Sequence, residues 1–237
     1  MKAILALSAN LLACLLTFNS IALGSIAQIP ISADTFISQD SPNTNYGSMN
    51  GYPGLPVSGY DVPPEEEHLR NVLILTDISS LAAPTGYKIA VNSASLNLYQ
   101  RDSWIMTASM GLYTITSSWN EMTVTWNTSP STAGSPSTTV TTITGWMQFD
   151  ISSALVQSWI DGNQQNYGFM IRAMNPTIEG SDHFNSREMI GSWQTDPNYL
   201  AIDYTLVPLN PVPIPAAVWL LGSGLIGLLA IRKKLKL

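Results

Sequence analysis

Ser118-Trp119-Asn120-Glu121-Met122-Thr123-Val124-Thr125-Trp126-Asn127 is the stretch on which the fold of this 237-residue chain turns. Met122, Val124 and Trp126 share one parity, and Glu121, Thr123 and Thr125 the other. That alternation is the period of a strand with one buried face. The block therefore predicts a strand of a β-sandwich, and its neighbours predict more of the same.

Upstream, Met110 to Thr116 is a strand. Ile89 to Tyr99 alternates, with Ala94, Leu96 and Leu98 on one face and Ser93, Ser95, Asn97 and Tyr99 on the other. Arg70 to Thr76 is an apolar run bounded by polar residues, as in a buried strand, and Ala33 to Ser38 is a short first strand. Between them, 39–54 is loop, rich in Asn, Ser, Pro and Gly, and Glu65-Glu66-Glu67 reads as a solvated loop. Downstream, Thr128 to Thr142 is nearly all Ser, Thr, Pro, Ala and Gly, so a mobile loop or a weakly paired edge is expected. Trp146 to Asp150 is a strand. Ile151, Leu155 and Trp159 then fall four apart, with Ser152 or Ser153 to cap and Gly162 beyond the end, which predicts one short helix. Tyr167 to Ala173 and Tyr199 to Thr205 are the last strands. The fold class is all-β: a jelly-roll-like antiparallel β-sandwich of about nine strands with one short helix.

Charged residues make up only 11% of the chain. The polar surface must then rest on Ser, Thr, Asn and Gln, as in secreted β-proteins. All 16 acidic residues lie between Asp34 and Asp203, whereas Lys2, Arg232, Lys233, Lys234 and Lys236 account for five of the 10 basic ones. The body is therefore acidic. It lacks the basic footprint that a phosphate backbone requires, so no nucleic acid is expected as a partner. Divalent cations or neutral glycans suit it better than polyanions. The single cysteine, Cys14, lies outside the body, which can form no disulfide of its own.

Met1-Lys2 followed by a chargeless apolar run is a secretory signal peptide, taken as 1–27. Ser25-Ile26-Ala27 offers one cleavage site and Ala22-Leu23-Gly24 another; a lipobox ending at Cys14 is the competing reading. The body is 28–207. In 208–237 a proline-rich linker leads to an apolar run from Ala216 to Ile231 and a basic end. This reads as a C-terminal transmembrane helix, short at about 16 residues, with its basic end held in the cytoplasm. The chain is thus expected to be exported to the cell envelope, cell surface or extracellular space, anchored transiently in the inner membrane.

Trp119-x-Glu121-x-Thr123-Val124-Thr125-Trp126-Asn127 resembles the centre of the DNRLRE domain, a non-catalytic extracellular β-sandwich that overlaps an alginate-binding carbohydrate-binding module family. Asn45-Tyr46-Gly47 is similar to the segment after that domain's first strand. The run from Gly145-Trp146 through Phe149-Asp150-Ile151, Leu155 and Trp159 to Gly168 resembles its second diagnostic block, and Phe184-x-Ser186-Arg187-Glu188 its Phe-x-Ser-Arg-Glu element. The resemblance spans Ala33 to Thr205. At the C-terminus, Pro213-Ile214-Pro215-Ala216-Ala217 with the apolar run and Arg232-Lys233-Lys234 resembles the PEP-CTERM sorting signal, with Ile214 in place of the usual Glu. This implies an exosortase-type sorting enzyme as a partner.

Neither His68 nor His183 lies in a recognisable triad setting, and no carboxylate pair has a glycosidase-like spacing. No enzyme activity is expected; a β-elimination site around His183 and Arg187 is the third-ranked alternative. Tyr46, Tyr60, Trp104 and Trp193 fall in predicted loops, where rings are free to stack on sugars, and Arg187 is a candidate partner for a uronic acid carboxylate. Trp119, Trp126, Trp146 and Trp159 sit in patterned elements and are expected in the core. Asp34, Asp40, Asn45 and Asp203 offer hard oxygen ligands for a structural calcium ion where the first and last strands meet. The functional expectation is polysaccharide binding at the cell surface or in the matrix, of an acidic exopolysaccharide if Arg187 serves it. The alternative is a structural or adhesive matrix protein with no defined sugar site.

Overall fold

Val72-Leu73-Ile74 has no polar phase, and the structure shows why: all three side chains are buried, on both faces of their strand. The computed structural model describes residues 24–47, 54–59, 69–104, 109–174, 180–188 and 197–209. Among them are ten strands: β1 (Gly24–Ser38), β2 (Leu55–Gly59), β3 (Arg70–Thr76), β4 (Tyr87–Trp104), β5 (Met110–Thr114), β6 (Thr138–Val140), β7 (Gly145–Ile151), β8 (Phe169–Ala173), β9 (Gly180–Phe184) and β10 (Tyr199–Pro208). One helix, α1 (Ser153–Ile160), follows β7. None of the described helices is long and apolar enough to cross a membrane. The segments read as signal peptide and C-terminal helix, with the sorting residues Pro213, Pro215, Ala216, Arg232, Lys233 and Lys234, lie outside the described residues.

Two long strands each change partner part-way. In β1, Gly24 to Pro30 pair with β10 and Ile31 to Ser38 with β3, and the register shifts between Ile31 and Ala33. In β4, Ala94 to Gln100 pair with β7 and Gln100 to Trp104 with β9, with a shift between Gln100 and Asp102. An extra residue at each shift bends the strand and re-aims its ladder. The two expected layers are thereby joined into one antiparallel, barrel-like sheet, ordered β1-β10-β4-β9-β2-β3-β8-β5-β6, with β1 also paired to β3 and β7 to β4. The chain falls into two compact units. The larger, Gly24–Ala83 with Ile89–Leu206, holds the core; the smaller is described only at 84–88 and 207–209, where the Leu209 N–H donates to the Gly86 carbonyl at 2.8 Å.

The main core takes one parity of each strand: Phe36, Val72, Ile74, Leu96, Leu98, Leu112, Met147, Phe149, Phe169 and Ile171. At about 1.5–3 kcal/mol for each fully buried side chain, this is the dominant stabilising term. The opposite parity of β1, β3 and β8 supplies Ile37, Leu73 and Met170 to a second, smaller core with Ile115 and Val124, packed by Tyr113, Trp119, Trp126 and Tyr167.

What covers that second face is the Trp119 block, which is not a strand. The Asn120 side-chain oxygen accepts the Met122 N–H at 2.9 Å, and its carbonyl accepts from Thr123 and Val124 at 3.1 and 2.9 Å. Thr125 and Thr128 close the next turn through their hydroxyls. Local side-chain bonds of this kind outcompete a ladder. The block becomes two successive turns that lay Trp119, Val124 and Trp126 inward and leave Met122 56% exposed. Trp119 is fixed by its indole N–H, which donates to the Tyr167 carbonyl at 2.8 Å.

Three of the four patterned tryptophans pack as expected; the fourth does not. Trp159 is buried in the main core against Phe169. Trp146 points away from Met147, Phe149 and Ile151 and is 40% exposed. Helix α1 inserts Val156 and Trp159 into the core, while Gln157 accepts the Val91 N–H at 2.9 Å and donates to the Ile89 carbonyl at 3.1 Å, tying the helix to the start of β4. Ser152 precedes the helix but makes no side-chain cap bond.

Candidate functional site

The densest polar constellation among the described residues joins β1, the Trp119 turns and the turn after β9. Asp34 brings a carboxylate into a strand otherwise buried from Asp34 to Ser38 and is itself only 2% exposed. Its oxygens take the Ser186 hydroxyl at 3.1 Å and the Arg187 N–H at 2.9 Å, and its own N–H donates to Glu121 Oε1 at 2.8 Å. The Arg187 guanidinium spans two carboxylates, with Nη2 at 2.6 Å from Glu121 Oε2 and Nε at 2.7 Å from Glu188 Oε1. Burial alone would lower the Arg187 pKa; the charges of Glu121 and Glu188 outweigh it and raise it. Oxygens of Asp34, Glu121 and Glu188 lie within 4.8 Å of one another.

Proton counting constrains this cluster. Ser186 Oγ has one hydrogen, lies 2.6 Å from Glu188 Oε2, accepts the Glu188 N–H at 3.2 Å and still contacts Asp34 Oδ1. If the Ser186 hydrogen goes to the nearer Glu188, the contact with Asp34 is satisfied only when Asp34 itself carries a proton. Consistent with this, burial pushes the Asp34 carboxyl up to about 8; the Arg187 N–H pulls it down, and neighbouring Glu188 adds to the rise.

Asn45 holds the third wall. Its amide donates to the carbonyls of Glu121 at 2.8 Å and Val124 at 2.7 Å, and its oxygen accepts the Gly47 N–H at 3.2 Å. Asn166 repeats the device, donating to the Thr76 carbonyl at 2.8 Å and accepting the Gly168 N–H at 2.9 Å. In both Asn-x-Gly staples a Cβ on the glycine would collide with a backbone carbonyl, that of Glu121 or of Ile74.

The four residues expected to ligate calcium do not form one group. Asp34 is in the carboxylate cluster. Asp40 takes Arg70 Nη2 at 3.4 Å, Asn45 has both side-chain atoms in its staple, and Asp203 accepts from Asn92 at 3.1 Å. Glu121 and Glu188, which were not among the expected calcium ligands, complete the cluster instead. Both stand in the blocks that carry the family resemblance, the one signal that could have marked them. A cation there would face Arg187, which already supplies positive charge to both glutamates.

Of the residues expected to meet sugar, Tyr46 stacks on Phe36 with ring centroids 4.1 Å apart and packs against the main core. Arg187 is committed to its carboxylates, though its side chain is 39% exposed. Trp104 ends β4 with its backbone paired to Ser181; its side chain, Tyr60 and Trp193 lie outside the described residues. His183, on β9, is half-buried, with Nε2 at 3.4 Å from Ser181 Oγ.

Comparison with known proteins finds that the profile of carbohydrate-binding module family 96 matches residues 25–200, the stretch that builds the β-body. The chain belongs to carbohydrate-binding module family 96. This family 96 chain is also 25% identical over 203 residues to the tRNA3(Ser)-specific nuclease WapA of Bacillus spizizenii, and equally so to the tRNA nuclease WapA of Bacillus subtilis. The alignments cover 79% of the chain but 8% of each relative.

Proposed function

We propose that this chain is an exported, non-catalytic binder of polysaccharide, displayed at the cell surface or in the extracellular matrix. The observation that carries this is the family 96 match, which coincides with the β-body from its first strand to the start of its last. Surface chemistry supports it: where β4 and β7 pair, the outward polar residues are Ser95, Asn97, Gln148 and Asp150, groups that exchange hydrogen bonds with hydroxyls without a net positive field. The tail that resembles a sorting signal, Pro213 to Lys234, supports handling by an exosortase-type enzyme after transient anchoring in the inner membrane.

The charge balance favours a neutral glycan. A uronate would need a cation to spare, and Arg187 already shares its hydrogens between Glu121 and Glu188. The WapA proteins are named as tRNA nucleases, but this chain corresponds to a small slice of them. A tRNA partner would also face an acidic body with five basic residues against 16 acidic. Calcium enters as a variable of the test, since an ion at Asp34, Glu121 and Glu188 would have to displace Arg187.

The test is a glycan array with the purified protein, run with calcium and with chelator, followed by an assay for new reducing ends on any bound polymer. Binding to neutral polysaccharide without chain cleavage is expected. An array silent under both conditions removes the binding reading, and released ends replace it with a lyase or hydrolase.

A further inference from the structure

The outward face of β4 and β7 carries an aromatic group that the core does not explain. Tyr99 and Trp146 are direct cross-strand partners, followed by Asn97 opposite Gln148 and Ser95 opposite Asp150. The inward partners on the same strands, Leu96, Leu98, Met147 and Phe149, are all buried. The outer face thus runs as three rows: two rings, two amides, then a hydroxyl and a carboxylate. Tyr199, the first residue of β10, joins the ring row. Trp146 lies 5.6 Å from Tyr99 at an interplanar angle of 83° and 5.5 Å from Tyr199 at 63°.

These rings are held in place. Asn198, buried between β9 and β10, accepts the Tyr99 N–H at 2.8 Å and donates to the Asn185 carbonyl at 2.6 Å, fixing the residues on which both tyrosines stand. On the next rows Gln148 donates to Asp150 at 2.8 Å and Asn97 to the Ser95 hydroxyl at 3.0 Å. Among the described residues nothing donates to the side-chain oxygens of Asn97 and Gln148.

We infer that this face is the sugar-binding site, with the Trp146 indole stacking on the C–H face of one neutral pyranose unit and Gln148, Asp150 and Asn97 bonding its hydroxyls. The inference rests on the carbohydrate-binding reading above and names its site and ligand class. The angles decide the size of the subsite: perpendicular rings cannot make a flat strip for several sugars, so one indole face walled by two tyrosines takes one residue of a polymer. Charge favours a neutral unit, because Asp150, the charged side chain of the three rows, would repel a uronate beside Gln148. Pre-ordering of the rings by Asn198 removes part of the entropic cost of binding.

The full-length chain, kept soluble in a non-glycosidic detergent, is run in native gels containing hydroxyethyl cellulose, galactomannan, laminarin or alginate. Retardation by at least one neutral polymer is expected, with Trp146→Ala weakening it about tenfold or more. Gln148→Ala and Asp150→Ala, both on exposed positions that leave the core intact, should weaken it by a smaller factor; they keep the test decisive if Trp146→Ala misfolds by near-ultraviolet circular dichroism. Wild-type retardation that all three variants retain overturns this site and leaves the carbohydrate reading standing. Retardation by alginate alone overturns the ligand class. No retardation of the wild type by any polymer counts against the carbohydrate reading itself. A concentration-dependent dimer abolished by Trp146→Ala, with polymer binding unaffected, would make this face a contact between copies and also overturn the site.

Discussion

Replacing Asp34 by Asn tests whether the heart of the carboxylate cluster holds a proton at neutral pH. The carboxyl is pushed from 3.8 to about 8, chiefly by burial, and its surroundings are Glu121, Glu188, Arg187 and the Ser186 hydroxyl. The folded protein keeps a proton that the unfolded chain releases. This group's contribution is therefore fully present below the unfolded pKa of about 4 and declines by about 1.4 kcal/mol per pH unit until the folded carboxyl ionises. Between about pH 5 and about pH 7 the loss from this one site amounts to roughly 2–3 kcal/mol. Asparagine keeps the shape and places an N–H toward Ser186 and an oxygen toward the Arg187 N–H, but it does not titrate. One surplus amide hydrogen costs about 1 kcal/mol, independent of pH. In urea unfolding of the two proteins across that range, Asp34→Asn should lie within about 1 kcal/mol of wild type near pH 5 and be more stable by roughly 3 kcal/mol near pH 7. Titration of other groups is largely common to both proteins and cancels in the difference. Curves that stay parallel from acid to neutral pH would show that Asp34 is ionised throughout and that the cluster is a set of anions around Arg187.

Other expected outcomes follow from single contacts. Gly168→Ala places a Cβ on the Ile74 carbonyl at a residue with φ +80° and should cost about 2 kcal/mol or more in urea unfolding, whereas Gly134→Ala, with open space around it, should change stability by less than about 0.5 kcal/mol. Asn45→Ala strands the Glu121 and Val124 carbonyls and should cost about 1–3 kcal/mol by the same measurement. Trp119→Ala uncovers the second core and loses the bond to Tyr167; a loss of about 3 kcal/mol is expected, with faster amide exchange at Leu73 and Met170 than at Leu96. Intact-mass measurement of exported protein should find the N-terminus at Ser25 and not at Gln28, because processing after Ala27 would also remove Ser25, Ile26 and Ala27, which pair with Tyr204, Asp203 and Ile202 of β10.

How far the fold was legible depends on which scale of interaction set each element. Arg70 to Thr76 and the strand around Trp146 to Asp150 were readable because tertiary burial imposes its period directly on the side chains. The Trp119 block misled for the opposite reason: its alternation is real, but Asn120 and Thr125 satisfy backbone donors within three residues, and that local chemistry decides the path. A clue to its true role stood elsewhere in the chain. Phe36-Ile37 and Val72-Leu73-Ile74 carry apolar side chains in both phases, and strands buried on both faces need a second cover. The carboxylate cluster was not legible, because its members are 87 residues or more from Asp34 in the chain and only the folded sheet brings them together.

Trp146 has its outward placement written in the phase of β7. It shares its phase with Gln148 and Asp150, while Met147, Phe149 and Ile151 take the other, so parity alone turns the indole outward. A large apolar side chain on a polar face gains little from burial and must be explained by what it touches. Here it touches two tyrosines whose strands are fixed by a buried asparagine, an outlay of order that a merely exposed ring does not require. If the cross-strand pair existed only to steady the sheet, Trp146→Phe should lose stability, by up to about the 0.5–1.5 kcal/mol of a ring-on-ring contact, and leave polymer binding unchanged. A variant that keeps its urea midpoint while its retardation by neutral polymer falls would separate the two roles in favour of binding.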